Sequence, residues 1–278
     1  FLALMAAAAP SQVVNVWLTR GDQASLLEQR PALSFQPGSS SHTTQIQIDS
    51  TTTYQSIEGF GAAMTDSSAW LIQNELNATQ RDALMEQLFS PQTGIGMSFI
   101  RIPMGSSDFA LSAYTYDDMP PGQTDPNLNN FSIVHDQAYI IPVLQQALSL
   151  NPGLKIMATP WSPPAWMKTT GTLFGGSLAS SYYPVYAQYF IQFIQAYEAV
   201  GLTTYALSVQ NEPLKDTPLI PSALMTTFSQ STFIGDHLGP ALSAAGIETR
   251  ILAFDHNWQD WNYPVVVMND PEANPFIA

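Results

Sequence analysis

A repeated pattern follows Ile57: a helix-length stretch, a turn, a short apolar strand and then a polar cluster. It occurs four times, and the strand segments are MSFIRIPM, KIMATPW, YALSVQNEP and RILAFDHNW. Strands that alternate with helices of about ten or more residues indicate parallel βαβ units, because parallel strands need a long crossover. No complete glycine-rich phosphate fingerprint follows a strand, which argues against a dinucleotide-binding sheet. We therefore predict an α/β fold, a TIM (β/α)8 barrel, that is incomplete here. About five strands are present if IEGFGAAM is the first.

The helices of this pattern have recognisable ends. Asn77 is a good N-cap with Gln80 three residues later, which predicts a helix from there to the turn at Gly94. Further helices are predicted over Asp136–Leu150, Tyr182–Val200 and Ser222–Ala245, each followed by a turn that contains glycine.

The N-terminal part has a different texture. Residues 12–54 are rich in Thr, Gln, Ser and Val, with alternation over Thr44–Asp49, which predicts a few short strands. Residues 1–11 begin FLALMAAAAP, which is typical of the end of a signal peptide and predicts a secreted or extracytoplasmic protein. Residues 55–278 form the predicted barrel domain. The apolar run over residues 1–9 is far shorter than the ~18 residues of a membrane-spanning helix, so no stable membrane insertion is expected.

Composition excludes several classes of function. Eight basic against 22 acidic residues give a net charge of −14, so the basic surface that nucleic-acid binding needs is absent. Cysteine is absent, which excludes disulfides, a thiolate nucleophile and a cysteine-based metal site. The four histidines, at positions 42, 135, 237 and 256, do not have metal-ligand spacing. No metal or cofactor is predicted.

Polar and aromatic residues collect where the strands end. In a TIM barrel the carboxyl ends of the strands share one face, which is where active sites lie. Carboxylates and amides there would bind hydroxyl groups, and tryptophan faces suit the apolar faces of sugars, so the mixture favours a saccharide site. These clusters are Thr65-Asp66-Ser67-Ser68, Asp108-Phe109, Trp161-Ser162 with Trp166, Asn211-Glu212, and Asp255-His256 with Trp258 and Trp261.

Glu212 is the strongest catalytic candidate. It follows the apolar run Ala206–Val209 and precedes Pro213, so the chain leaves the strand at this residue. A carboxyl group partly desolvated at a barrel mouth has its neutral form favoured, as a general acid for glycoside cleavage requires. The alternative is a glutamate in a surface turn, and Asn211 beside it is a candidate to bind a substrate 2-hydroxyl.

Other residues leave more than one interpretation open. Asp108 is a second carboxylate, a sugar-hydroxyl acceptor or a loop cap, whereas Asp255 and His256 are either a hydrogen-bonded pair at the cleft floor or purely structural. A Ser162–His256–Asp255 triad is disfavoured because no Gly-x-Ser-x-Gly elbow surrounds any serine. The predicted substrate-binding set is Asp108, Phe109, Trp161, Asn211, Asp255, His256 and Trp258.

Four segments together resemble glycoside hydrolase family 30, the glucosylceramidase-like retaining β-glycosidases. They are IEGFGAAMTDSSAW, GIGMSFIRIPMGSSDFALSAYTYDD, ATPWSPPAWMKTTG and YALSVQNEPL. The resemblance implies a TIM barrel with an attached β-sandwich, to which the strands of residues 12–54 would belong. It also implies Glu212 as general acid/base, Asn211 as the 2-hydroxyl contact, and Asp108, Trp161 and Asp255 as contacts to the terminal sugar.

One departure from the family pattern is expected to matter. Family members carry a glutamate nucleophile at the end of the seventh strand, and no glutamate of this sequence matches it, since residues 274–278 stand where the sixth strand begins. A retaining mechanism needs two carboxyl groups roughly 5–5.5 Å apart. The expectation is therefore a C-terminally truncated retaining β-glucosidase, inactive alone, whose nucleophile lies downstream of Ala278.

Alternatives remain at this point. One is a noncatalytic carbohydrate-binding or scaffold barrel, and another is an inverting glycosidase that uses Glu212 with Asp108 or Asp255. The resemblance is compatible with glucosylceramide, β-1,6-glucan, small β-glucosides or β-xylosides as substrates. The oligomeric state is left open.

Overall fold

The computed structural model describes residues 13–35, 41, 43–44, 49 and 51–278. The chain divides into two compact units, Phe1–Ile57 and Glu58–Ala278. The proposed signal-peptide remnant at 1–11 and the core of the strand expected over Thr44–Asp49 lie outside the described residues. The domain bounds inferred from the sequence stay a prediction.

The first unit contains an antiparallel pair of strands. β1 (Val13–Leu18) pairs with β2 (Glu28–Ser34), with a bulge between Val14 and Val16. β2 is exposed along its whole length, and β1 is exposed over its first half and partly buried over its second. The predicted N-terminal strands are thus present as an antiparallel sheet, while their place in a sandwich remains an inference from the resemblance.

The second unit is built on a parallel sheet. Its strands are β3 (Phe99–Pro103), β4 (Lys155–Thr159), β5 (Thr204–Ser208) and β6 (Arg250–Leu252), hydrogen-bonded in that order. Each pair is parallel, so the carboxyl ends of the strands lie at one edge. This arrangement confirms the prediction of an incomplete α/β barrel and of the edge at which the polar clusters meet.

The predicted first strand needs a correction. In place of a strand over residues 57–64, the segment makes one parallel bridge, Ala63 to Arg101, although its backbone hydrogen bonds continue along β3 from Phe60 to Met64. A Cβ on Gly61 would overlap the carbonyl oxygen of Phe99, so glycine permits an approach too close for regular pairing. At the other edge Ile277 makes a parallel bridge to Ile251.

The helices follow the predicted pattern with two differences. Asn77 forms the predicted capping box with Gln80, but the helix expected over Asp136–Leu150 breaks because Pro142 has no N–H to bond the preceding turn. The helix expected from Ser222 begins after the Thr226 cap. The α-helices are α1 (Asp66–Trp70), α2 (Ala78–Phe89), α3 (Val134–Gln137), α4 (Ile140–Leu150), α5 (Tyr183–Ala199), α6 (Thr227–Thr232), α7 (Gly239–Ala244) and α8 (Asn262–Met268). π-Helical turns follow α1 and α6 at Leu71–Glu75 and Phe233–Leu238.

The core of this unit is rich in aromatic side chains from α5. Tyr186, Tyr189, Phe190 and Phe193 are buried, and Phe233 packs against Tyr186 with ring centroids 5.4 Å apart. These aromatic positions form the core face of α5 and help to fix the helix against the rest of the unit. In the described ranges no helix is both long enough and apolar enough to cross a bilayer.

A charged cluster occupies the amino-terminal ends of the strands, opposite the polar edge. Glu58 accepts hydrogen bonds from Lys155 and from the Tyr205 hydroxyl, and Arg250 lies beside it. The hydrogen bonds from Lys155 and Tyr205 lower the pKa of Glu58 to about 2. This carboxylate is therefore engaged at the end of the sheet away from the strand-end clusters.

Candidate active site

Arg101 joins residues from different strands at the carboxyl edge of the sheet. It lies on β3, and its Nε and Nη2 donate to Asp255 Oδ2 at 3.2 and 2.6 Å. Nη2 also donates to Asn211 Oδ1 at 2.7 Å, and the guanidinium lies 4.6 Å from the ring centre of Trp161. One guanidinium thus connects β3 with the segments that follow β4, β5 and β6.

Asp255 is committed to this network. Besides Arg101, its Oδ2 accepts from the hydroxyls of Thr159 and Ser208, each at 2.9 Å. Thr159 and Ser208 are the last residues of β4 and β5, and their hydroxyls are 2.8 Å apart. A carboxylate held by this many donors is an anchor for the strand ends, which disfavours it as a free nucleophile or base.

Glu212 is held in a strained backbone conformation at the end of β5. Its φ is 43°, in the left-handed region that residues other than glycine rarely adopt. Its N–H donates to the carbonyl of Asp255 at 2.8 Å, and its own carbonyl accepts from Lys215 N at 2.7 Å. Strain of this kind is retained where the surroundings fix the residue, as at functional sites. The side chain is 33% exposed, open enough to meet a ligand.

His256 lies between two carboxylates. Its Nε2 is 3.7 Å from Glu212 Oε1 and its Nδ1 is 3.3 Å from Asp260 Oδ2. The structure therefore corrects the pairing considered between Asp255 and His256: Asp255 binds Arg101 and the two hydroxyls, whereas His256 faces Glu212 and Asp260. Four predicted site residues, Asn211, Glu212, Asp255 and His256, are brought together, and Trp161 joins them through Arg101.

The other predicted residues are not hydrogen-bonded to this group among the described residues. Asp108 and Phe109 are exposed in a turn after β3, which is anchored by Ser67 N donating to Phe109 O and by Asp66 accepting from Leu111 N. Trp258 is 97% exposed and lines, with His256, an apolar cavity of about 390 Å³.

The hydroxyl of Ser162 is not part of a triad with His256. It donates to the carbonyl of Pro163 and accepts from the ammonium of Lys168, which also donates to the carbonyls of Leu173 and Ser222. Burial lowers the pKa of Lys168 to about 7, although the charge of Asp216 opposes the shift. These contacts tie two loops together and rule out the acyl-transfer arrangement.

Trp166 is a packing residue and not an open platform. Its ring meets Tyr182 edge-on at 5.2 Å, and its Nε1 donates to the carbonyl of Asp117. Asp117 itself is almost completely buried, and neither carboxylate oxygen has a hydrogen-bond partner among the described residues. Burial, assisted by the charge of Asp125, raises the pKa of Asp117 to about 6.

The buried carboxyl of Asp117 makes the stability depend on pH. Because the folded pKa of Asp117 lies above the ordinary value of 3.8, its contribution to the free energy of unfolding is fully present below pH 3.8 and is lost as the pH rises through about 6. We expect Asp117→Asn in the full-length protein to raise the free energy of unfolding at pH 7 by about 1–3 kcal/mol, with a much smaller change at pH 4. Urea unfolding at the two pH values measures this. Asp236→Asn, at an exposed carboxylate, should show no such pH-dependent gain, and equal gains for Asp117→Asn at both pH values would contradict the interpretation.

Sequence reasoning missed four residues of the site: Arg101, Thr159, Ser208 and Asp260. The available signal was position: Arg101 is the one charged residue inside the apolar strand FIRIP, and Thr159 and Ser208 are the hydroxyl residues that end their strands. Within the described ranges no group of three or more His, Cys, Asp or Glu side chains is arranged to hold a metal ion.

Comparison with known proteins agrees with this geometry. The sequence profile of the glycosyl hydrolase family 30 TIM-barrel domain matches residues 57–278. An endo-1,6-beta-D-glucanase of Neurospora crassa is 39% identical over 240 residues, which cover 84% of this chain and 49% of that protein. The lysosomal acid glucosylceramidase of Mus musculus is 35% identical over 247 residues, which cover 81% and 45%.

A solved structure shows the same fold. The endo-beta1,6-glucanase BT3312 superimposes with a TM-score of 0.82 at 35% identity, covering 96% of this chain and 59% of that one. The chain spans about half the length of the curated relatives it matches. A family profile that matches most of the chain, together with relatives of this identity, shows that the chain belongs to glycosyl hydrolase family 30.

Proposed function

We propose that the full-length protein hydrolyses β-glucosidic bonds with retention of configuration and that Glu212 is its general acid/base. The observation that carries this proposal is the position of Glu212: a partly exposed carboxyl group, fixed at φ 43° at the carboxyl edge of the barrel sheet. Asn211 is anchored beside it through Arg101. A carboxyl held in place at the mouth of the barrel is what protonation of a glycosidic oxygen requires.

The neighbouring residues have supporting roles in this proposal. Asn211 meets the 2-hydroxyl of the sugar, and Trp161 and the exposed Asp108 and Phe109 contact the ring and its hydroxyls. Asp255 influences sugar binding indirectly, through the hydrogen-bond network that it forms with Arg101. Trp258 reaches outward, where a longer substrate or aglycone would lie.

The reaction has two steps. The protonated Glu212 gives its proton to the leaving oxygen while a second carboxylate attacks the anomeric carbon and forms a glycosyl-enzyme ester. Glu212, now a carboxylate, removes a proton from water, which attacks the same carbon and releases the second carboxylate. We propose that this second carboxylate is a glutamate outside residues 1–278, because the carboxylates near Glu212 in the described structure are engaged with Arg101 or His256.

We infer a β-1,6-linked glucan as the preferred substrate and glucosylceramide as the second candidate. The names of relatives at 36–39% identity, endo-1,6-beta-D-glucanases of Neurospora crassa and Aspergillus fumigatus, support the first. The mouse glucosylceramidase supports the second. An extracytoplasmic location suits a polymeric or glycolipid substrate and is supported by the apolar sequence at residues 1–9.

The proposal is tested by following hydrolysis with the full-length protein by proton NMR. We expect β-1,6-glucan to be cleaved faster than β-xylan, and the β-anomer of the new reducing end to appear first. First appearance of the α-anomer would indicate an inverting enzyme. Binding of the glucan without cleavage of any β-glucoside would favour the noncatalytic carbohydrate-binding alternative.

A further inference from the structure

His256 has a carboxyl group near each ring nitrogen and little exposed surface. Its side chain is only 9% exposed, with Nε2 close to Glu212 and Nδ1 close to Asp260. The ring of Phe254 meets it edge-on at 5.7 Å. Little of the imidazole is left for a sugar hydroxyl, which favours a role exerted through its two carboxylate neighbours.

The backbone places these three residues together. His256 follows β6, and Asp260 ends the 3₁₀ turn Trp258–Asp260, four residues later. Glu212 is tied to the same segment, because its N–H donates to the carbonyl of Asp255. The strained backbone of Glu212 and the ring that faces its carboxyl are thus supported by one stretch of chain.

We propose that His256 is a positioning residue for the carboxyl of Glu212 and that Asp260 holds its ring in place; the proposal rests on the proposed function of Glu212. In its protonated form the imidazole donates from both nitrogens, from Nδ1 to Asp260 and from Nε2 to Oε1 of Glu212. With Oε1 occupied as an acceptor, the acidic proton of Glu212 stays on Oε2, which is the oxygen left to face the leaving group.

The distances in the unliganded protein fit this role. The Nε2–Oε1 separation of 3.7 Å is longer than a hydrogen bond, and buried Nδ1 does not meet hydrogen-bond geometry with Asp260 at 3.3 Å. Hydrogen bonds at active sites are often long before substrate binds and shorten in the complex. The proposed role requires both contacts to shorten in this way when substrate binds.

The test separates positioning of the acid from a general loss of structure. In the full-length protein we expect Asp260→Asn to lower kcat/KM about tenfold on a β-glucoside with an alkyl leaving group. Its kcat/KM on 2,4-dinitrophenyl β-glucoside, whose leaving group needs no proton, should stay within about twofold. His256→Asn should give the same pattern, and the double variant should be no worse than His256→Asn because the two residues act through one carboxyl.

Three controls complete the experiment. Asp236→Asn, at an exposed carboxylate on the π-helical turn after α6, should leave both substrates unaffected, and thermal unfolding should show that every variant is folded. The positioning role would be overturned if Asp260→Asn and His256→Asn lowered kcat/KM by the same factor on the alkyl and the 2,4-dinitrophenyl glucoside. It would also be overturned if neither variant lowered kcat/KM on either substrate. If Glu212→Gln itself shows no dependence on the leaving group, the proposed function fails instead.

Discussion

Glu212→Gln in the full-length protein is expected to lower kcat/KM for substrates with poor leaving groups by about 10²–10⁴-fold. Glutamine keeps the shape of the side chain but cannot protonate the departing oxygen. For 2,4-dinitrophenyl β-glucoside, which needs no proton, kcat/KM should change little. Its kcat should still fall, because the second step lacks the base that activates water.

Azide provides the decisive measurement for this variant. A small anion attacks the glycosyl-enzyme without a general base, so azide should restore kcat on the activated substrate and yield a β-glucosyl azide. Glu198→Gln, at an exposed glutamate of α5, is the matched control and should behave as the parent protein. Unchanged hydrolysis of natural glucosides by Glu212→Gln would remove Glu212 from the mechanism.

The strand-end positions of the site could be predicted because they depend on local patterns. An apolar run that stops at Asn211-Glu212-Pro213 marks the end of a buried strand, and parallel strands bring such ends to one edge. The shared neighbourhood of Asn211, Glu212, Asp255 and His256 follows from that rule, because β5 and β6 are adjacent parallel strands. The roles assigned to the individual side chains stay predictions until the variants are measured.

The partners of these residues could not be predicted, because they depend on packing between distant segments. Arg101 and Asp255 are 154 residues apart, and Arg101 in sequence is only a charge that interrupts an apolar strand. Trp166 resembled Trp161 as a ring after a strand, yet it packs against Tyr182 and binds a backbone carbonyl. The prediction of a first strand at IEGFGAAM was wrong because Gly61 lets the chain lie too close to β3 for regular pairing.

Arg101→Met should have the largest effect on stability, a loss of about 3 kcal/mol in the free energy of unfolding of the full-length protein. The guanidinium and the Asp255 carboxylate are mostly buried, and methionine would leave that carboxylate with two hydroxyl donors and no countercharge. The low end of the range for a broken buried pair applies because both side chains keep some exposure to water. Asn211 would also lose its anchor, so kcat/KM should fall with stability, by about 10²-fold.

A double-mutant cycle separates the charge from the packing of Arg101. If the uncompensated carboxylate causes the loss, adding Asp255→Asn to Arg101→Met should recover about 1–2 kcal/mol, since a neutral amide costs less to bury than an unpaired charge. Arg81→Met, at a partly exposed arginine of α2 bonded to Gln73, should change stability by no more than about 0.5 kcal/mol. Strictly additive losses for Arg101→Met and Asp255→Asn would show that the two side chains stabilise the strand ends independently. The pair would then not be what holds β3 to the segment after β6.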